Sequence, residues 1–242
     1  MALPYKHSKQ NKKGQVEEMF DNISPKYDLL NHLLSVNIDK LWRKHTIKKL
    51  KPYGPERILD IATGTGDFAI AASKRLSGEI VGIDLSEGML SVAREKIKRR
   101  DLGKQISVLK ADSENLPFKD GEFDAAIVGF GVRNFENLNI GLKEIQRVLK
   151  PGGVFFVLEF SKPSKAPFKQ FYLFYFKHIL PLVGRLISKD QSAYKYLPES
   201  VEEFPDGDQF LAILAEAGFC ENKCYPQTFG IASIYEAHKL AN

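Results

Sequence analysis

The sequence predicts an α/β protein: a doubly wound, mostly parallel seven-stranded sheet of the Rossmann-like kind. An N-terminal helical cap and a helical insertion before the last two strands complete it. Three observations carry this expectation. From Arg57 to Phe160, apolar runs of strand length alternate with amphipathic stretches, the pattern of a sheet covered on both faces. Within it, Arg57-Ile58-Leu59-Asp60-Ile61-Ala62-Thr63-Gly64-Thr65-Gly66-Asp67 passes from a buried strand through a glycine turn into a helix, as nucleotide-binding α/β units open. After Phe160 the alternation stops, and Phe219–Tyr225 and Ile231–Lys239 read as a closing antiparallel pair.

Residues 1–13 carry Lys6, Lys9, Lys12 and Lys13 among small polar groups and read as a solvated, frayed tail. A first helix is expected around Val16–Phe20, broken by Asp21-Asn22-Ile23-Ser24-Pro25. A second spans about Asn37–Leu50, with Ile38, Leu41, Trp42 and His45 on one buried face and Lys40, Arg43 and Lys44 off it. Lys51-Pro52-Tyr53-Gly54-Pro55 then delivers the chain to the first strand. A helix over Asp67–Leu76 leads to the second strand, Ile80–Asp84. Ser86 N-caps a helix running to about Arg100, with Met89, Ala93 and Ile97 on one face. Ile106–Lys110 and Phe123–Gly129 are the third and fourth strands. Leu138, Leu142, Ile145 and Leu149 mark a helix stopped by Pro151-Gly152-Gly153, and Val154–Phe160 is the fifth strand. Pro163–Lys189 is an insertion dense in aromatic and basic residues, and a helix over Asp208–Ala217 ends on Gly218. The chain reads as one domain, 1–242. Its parts are a tail and cap (1–55), a cofactor-binding core (56–160), the insertion (161–205) and the C-terminal helix and strands (206–242).

With 242 residues and 43% hydrophobic content, the chain can bury one sizeable core. A formal charge of +5 and a pI near 9.0 permit an anionic membrane surface or a nucleic acid without pointing to either. Cys220 and Cys224 have no second pair, so neither a disulfide scaffold nor a metal site is expected, and a reducing cytosol fits. No apolar run reaches spanning length, and Met1–Lys13 is too polar for a signal peptide.

Gly64-x-Gly66-x-x-Ala69 also satisfies a dinucleotide fingerprint, so the glycines alone leave an NAD-dependent oxidoreductase open. The charges argue otherwise. Asp60 ends the strand and Asp67 begins the helix, and two carboxylates there oppose a doubly anionic pyrophosphate. They suit a ligand with an ammonium or sulfonium group and no phosphate, which describes S-adenosylmethionine. The bland reading makes Asp67 a helix N-cap and nothing more.

The spacing of Gly64-Thr65-Gly66, Asp84, Asp112 and Pro151-Gly152-Gly153 resembles a seven-stranded class I methyltransferase. More narrowly, the chain resembles the ubiquinone/menaquinone biosynthesis C-methyltransferase family. The matching stretches are Tyr27-Asp28-x-x-Asn31-x-x-x-Ser35 leading to Trp42-Arg43, Phe130-Gly131-Val132-Arg133-Asn134, Arg147 to Gly153, and Leu158-Glu159-Phe160-Ser161-Lys162-Pro163. Asp112-Ser113 departs slightly, since an acid or amide followed by alanine is usual there. The resemblance implies S-adenosylmethionine as co-substrate, with Asp60, Gly64, Thr65 and Gly66 beside its methionine part. It places Asp84 on the ribose hydroxyls, and Asp112 with the Ser113 amide on the adenine edge.

The implied chemistry is methylation of a ring carbon of a polyprenyl quinol, demethylmenaquinol first and a methoxybenzoquinol as the alternative. Such a carbon becomes nucleophilic when the neighbouring hydroxyl ionises, so the site needs proton removal or a cation that favours the phenolate. Arg133, always charged, is assigned to that electrostatic role, acting through an ordered water; the alternative is a structural salt bridge tying its loop to the cap. Asn134 would orient the water or a quinol oxygen, and Tyr27 would close the ring pocket. No nucleic-acid partner is expected. In the insertion, Phe168, Phe171, Tyr172, Phe174, Tyr175 and Phe176, with Lys165, Lys169, Lys177 and Arg185, read as a lid making peripheral contact with the inner face of the cytoplasmic membrane. Packing on the sheet or a homodimer interface is the competing reading.

Overall fold

The structure, a computed structural model, describes residues 2–28, 35, 37–163, 165–174 and 192–241. Its frame is a seven-stranded sheet in the order β3-β2-β1-β4-β5-β7-β6. The strands are β1 (Arg57–Ile61), β2 (Glu79–Asp84), β3 (Ile106–Lys110), β4 (Phe123–Gly129), β5 (Leu149–Phe160), β6 (Phe219–Gln227) and β7 (Ala232–Lys239). The first five run parallel, and β7 joins β5 and β6 antiparallel. Ile58, Leu59, Asp60 and Ile61 of β1 are buried, as are Ala125 to Val128 of β4. One core lies on each face: Leu59, Val81, Val128 and Phe155 on one, Ile58, Ile80, Ile127 and Phe156 on the other. The expected alternation is therefore realised, because each central strand is covered twice.

The helices are α1 (Lys12–Ile23), α2 (Ile38–Leu50), α3 (Asp67–Ser73), α4 (Glu87–Arg99), α5 (Leu138–Val148), α6 (Phe168–Phe174), α7 (Ser192–Glu203) and α8 (Asp208–Glu216). Ser86 caps α4, its hydroxyl accepting from the Met89 amide at 3.0 Å. Pro151-Gly152-Gly153 does not stop a helix; it lies inside β5, which begins at Leu149 opposite Phe123 and kinks where Gly152 takes a φ of 76°. The helix face expected for α2 is partly wrong. Leu41 is 54% exposed and His45 is exposed, whereas Arg43 is buried. The reason is pairing: Asp39 and Arg43, one helical turn apart, go into the protein together as an ion pair.

The N-terminal stretch is not a frayed tail. Asn11 caps α1, whose helix begins earlier than expected, and Lys12 is buried. The Lys12 ammonium donates to the carbonyls of Arg133 and Phe135 at 3.0 and 2.8 Å. Ala2, Val16, Met19 and Tyr196 form a small third core. The Ala2 amide and Lys6 reach Glu203 and Glu199 of α7. Asn31, His32 and residues 175–191, which include most of the expected lid, lie outside the described residues. Deleting residues 1–10 should lower unfolding stability by about 1–3 kcal/mol, through lost burial and lost pairing. A urea midpoint equal to that of the whole chain would return this segment to solvent.

Candidate active site

The carboxyl ends of β1, β2 and β4 meet where the strand order reverses, and a crevice opens above them as it does in doubly wound sheets. Its larger part encloses about 720 Å³ between Asp84, Asp112, Ser113, Asn134, Phe135 and the α1 side chains Val16 and Phe20. A second part of about 370 Å³ runs along the glycine turn past Asp60, Thr63, Thr65 and Arg43. Tyr27, Ala62, Gly64, Gly129 and Phe130 line both.

The turn that shapes this crevice is held in unusual backbone conformations. Gly66 has a φ of 79°, open to glycine without strain. Ala62 and Phe130, which have side chains, also sit at positive φ, 51° and 59°. Such conformations persist where surrounding packing over-determines them. Here the β1 and β4 tips press together: a β-carbon on Gly131 would lie 2.6 Å from that of Ala62.

Asp84 ends β2 with both carboxylate oxygens braced. The Gly64 amide donates to Oδ2 at 2.8 Å and the Ser86 amide to Oδ1 at 2.9 Å. Burial pushes its pKa up to about 6 despite these bonds. Asp60 is wholly buried; its Oδ2 accepts from the Thr63 hydroxyl at 2.6 Å and the Ala69 amide at 3.1 Å. Its Oδ1 has no partner among the described residues, and burial raises its pKa to about 7. An orphaned carboxylate oxygen facing a cleft is a ready acceptor for a cationic ligand. Asp112 is engaged from both sides: Lys13 of α1 donates to Oδ2 at 2.6 Å and the Glu114 amide to Oδ1 at 2.9 Å. Ser113 lies beside it in the cleft wall.

The residues expected to act on the ring divide into two groups. Tyr27 and Asn134 line the cleft. Tyr27 is edge-on to Phe20 at 6.0 Å, and burial pushes its phenol up to about 12 against the opposing pull of Arg133 and Arg43. The Asn134 side-chain oxygen accepts from the Tyr196 hydroxyl at 3.0 Å. Arg133 stands behind the wall. It donates to buried Glu159 at 2.8 Å and to the Phe130 carbonyl, and its guanidinium lies over the Phe160 ring. Its salt bridge thus runs to the end of β5 rather than to the cap. The guanidinium in the cleft wall itself is that of Arg43.

Asp67, expected to oppose phosphate at the turn, is paired with Lys96 of α4, so its charge is answered within the protein. Sequence reasoning missed Lys96 because it stands among surface-type residues beside Ile97. It missed Tyr196 because nothing local marks that tyrosine, and it placed Arg43 on the wrong helix face. Among the described residues no cluster of metal-ligating side chains occurs, and both cysteines are free.

A family model described as the ubiE/COQ5 methyltransferase family matches residues 6–239. The chain is 48% identical to a Bacteroides fragilis protein named demethylmenaquinone methyltransferase, over 94% of each chain. It is 47% identical to a Geotalea daltonii protein named ubiquinone/menaquinone biosynthesis C-methyltransferase, over 96% of this chain and 99% of that one. Among solved structures, a Thermotoga maritima protein described as an S-adenosylmethionine-dependent methyltransferase superposes with a TM-score of 0.67 at 22% identity, covering 92% of this chain and 99% of that one. A Methanococcus maripaludis protein, described likewise, gives 0.65 at 20% identity over 98% of both chains. These two likenesses show the fold of class I methyltransferases.

The buried Arg133–Glu159 pair yields a direct test. Arg133→Met strands the Glu159 charge, whose pKa burial already raises, and should cost about 3–5 kcal/mol in urea unfolding. Adding Glu159→Leu should recover most of that loss. A single variant as stable as the parent would show that the pair does not hold the loop.

Proposed function

The chain belongs to the ubiE/COQ5 methyltransferase family, and from that premise we propose that it methylates a ring carbon of demethylmenaquinol to give menaquinol. The observation that carries the reading is the unpartnered, buried Oδ1 of Asp60, a residue that lines the glycine-turn part of the crevice whose larger part holds the braced carboxylate of Asp84. An ammonium fits the first and a pair of vicinal hydroxyls fits the second. S-adenosylmethionine carries both and supplies an electrophilic methyl group.

The remaining roles follow from chemistry. Asp84 would accept from the ribose hydroxyls, Asp60 from the ammonium, and Asp112 with the Ser113 amide would read the adenine edge. Gly64, Thr65 and Gly66 would form the wall beside the methionine chain. Tyr27 and Asn134 would orient the quinol oxygens, the Asn134 amide being fixed by Tyr196. The quinol hydroxyl has to lose its proton for the adjacent carbon to attack. Arg43 in the wall and Arg133 behind it supply positive charge that favours the resulting oxyanion. The neighbouring reading, a methoxybenzoquinol, is favoured by the joint ubiquinone/menaquinone name of the Geotalea relative.

The polyprenyl tail of such a substrate is dissolved in a membrane, and no helix among the described residues is long and apolar enough to cross one. Contact at the inner face of the cytoplasmic membrane is therefore proposed. Phe174 and Phe229 are 58% and 68% exposed, the Phe229 ring stacks on Phe168 at 3.7 Å, and Lys165 and Lys169 are exposed. Apolar rings flanked by lysines suit an anionic lipid surface, each cation contributing roughly 1 kcal/mol.

Three outcomes are expected. Incubation with methyl-labelled S-adenosylmethionine and demethylmenaquinol should yield labelled menaquinol by mass spectrometry; label appearing only in a benzoquinol would move the substrate to the alternative. Because Asp84 and Asp60 hold their protons up to about pH 6 and 7, a ligand needing both carboxylates charged must displace those protons. Affinity for S-adenosylhomocysteine should thus be level above pH 7.5 and fall as pH drops through 7 and then 6, approaching tenfold per unit per proton. In Asp84→Asn the lower break should vanish. The membrane reading predicts salt-sensitive co-sedimentation with anionic vesicles that weakens in Phe229→Ser and when Lys165 and Lys169 are neutralised; no binding to any vesicle would end it.

A further inference from the structure

Beneath the glycine turn lies a buried ammonium to which the proposed methyl transfer assigns no role. Lys96 of α4 is 5% exposed along its side chain. Its ammonium lies 2.8 Å from Asp28 Oδ2 and 3.1 Å from Thr65 Oγ1, and also donates to Asp67 Oδ1. An ammonium has three protons, and each has an acceptor. The Thr65 hydroxyl in turn donates to Asp28 Oδ1, so the group closes on itself. The acceptors come from two distant pieces of chain: Asp28 from the cap, and Thr65 and Asp67 from the glycine turn and the start of α3.

Thr65 and Asp67 line the second part of the cleft themselves, and Asp28 stands next to a residue that lines it. Tyr27 precedes Asp28 and lines both parts of it. Gly64 precedes Thr65 and donates to Asp84. We infer that Lys96 is a positioning residue that fastens the cap to the glycine turn, so that the cofactor wall and the Tyr27 wall assume their geometry together. The inference rests on the reading of the cleft given above. It follows from geometry and charge: Lys96 is the cation lying between Asp28 of the cap and Asp67 of α3, and without it the two carboxylates would repel with less to offset them. The cap would relieve that repulsion by leaving.

The test is calorimetric titration of Lys96→Met, Asp28→Asn and the double variant with both S-adenosylmethionine and S-adenosylhomocysteine, alongside steady-state kinetics on a short-chain quinol. Wild-type binding, measured first, judges the cofactor reading separately. Positioning predicts that Lys96→Met weakens both ligands by about tenfold or more and raises the quinol KM. The double variant should be no worse than the worse single one, because the two residues act as one unit. Wild-type affinities and KM in a folded Lys96→Met would overturn the inference. So would tighter binding of the cationic S-adenosylmethionine alone, which would mean that Lys96 acts only through charge. Should Lys96→Met fail to fold, Asp28→Asn is read by the same two criteria, shared loss of both ligands or wild-type values.

Discussion

Four carboxylates converge above the carboxyl ends of β1 and β2, and the structure around them follows from how each is balanced. Asp84 is answered by two backbone amides, Asp28 and Asp67 by one shared buried ammonium with the Thr65 hydroxyl also on Asp28, and Asp60 on one oxygen only. Each solution uses a different part of the molecule: the glycine turn and the start of α4, the side of α4 against the cap, and the turn itself. Unpaired charge in a poorly hydrated site is costly. The buried Asp60 oxygen, without a partner among the described residues, is therefore a place where a ligand gains by binding.

Packing fixes the backbone around these carboxylates. Ala62 and Phe130 hold left-handed conformations at the tips of adjacent strands, and Gly131 leaves no room for a side chain between those tips. Strain of this kind fixes where the crevice floor lies before any ligand arrives. The aromatic wall of Trp42, Phe130 and Phe160, with ring centroids 4.6–6.3 Å apart, backs it from the cap side.

Strands were readable because burial on both faces leaves unbroken apolar runs; β3 and β4 fall on the residues their runs mark. Asp84 and Gly64 were readable because the strand end and glycine turn place them by rule. Pairings across the fold were not. Lys96 meets acceptors 29, 31 and 68 residues away, and a helical wheel shows only a lysine beside Ile97. The motif containing Glu159 stood in plain view, yet nothing local tells that Glu159 answers Arg133. Hydrophobic periodicity reports which face is apolar; it is silent about a charged residue buried with its partner, as Arg43 is with Asp39.

The roof of the crevice has a consequence for how the protein is made. Lys12 and Lys13 of α1 bind groups 99 to 124 residues further along the chain. At 5–20 residues per second, α1 leaves the ribosome roughly ten seconds before those partners do. The glycine turn, complete far earlier, has neither its Asp112 side nor its ceiling in that interval. A nascent chain stopped before β4 would carry the recognisable nucleotide-binding motif and the Asp84 and Asp112 sides of the pocket, and still lack the wall from Gly129 to Glu136. The binding site is thus closed only once the end of β4 has emerged, although its most legible residues come earlier.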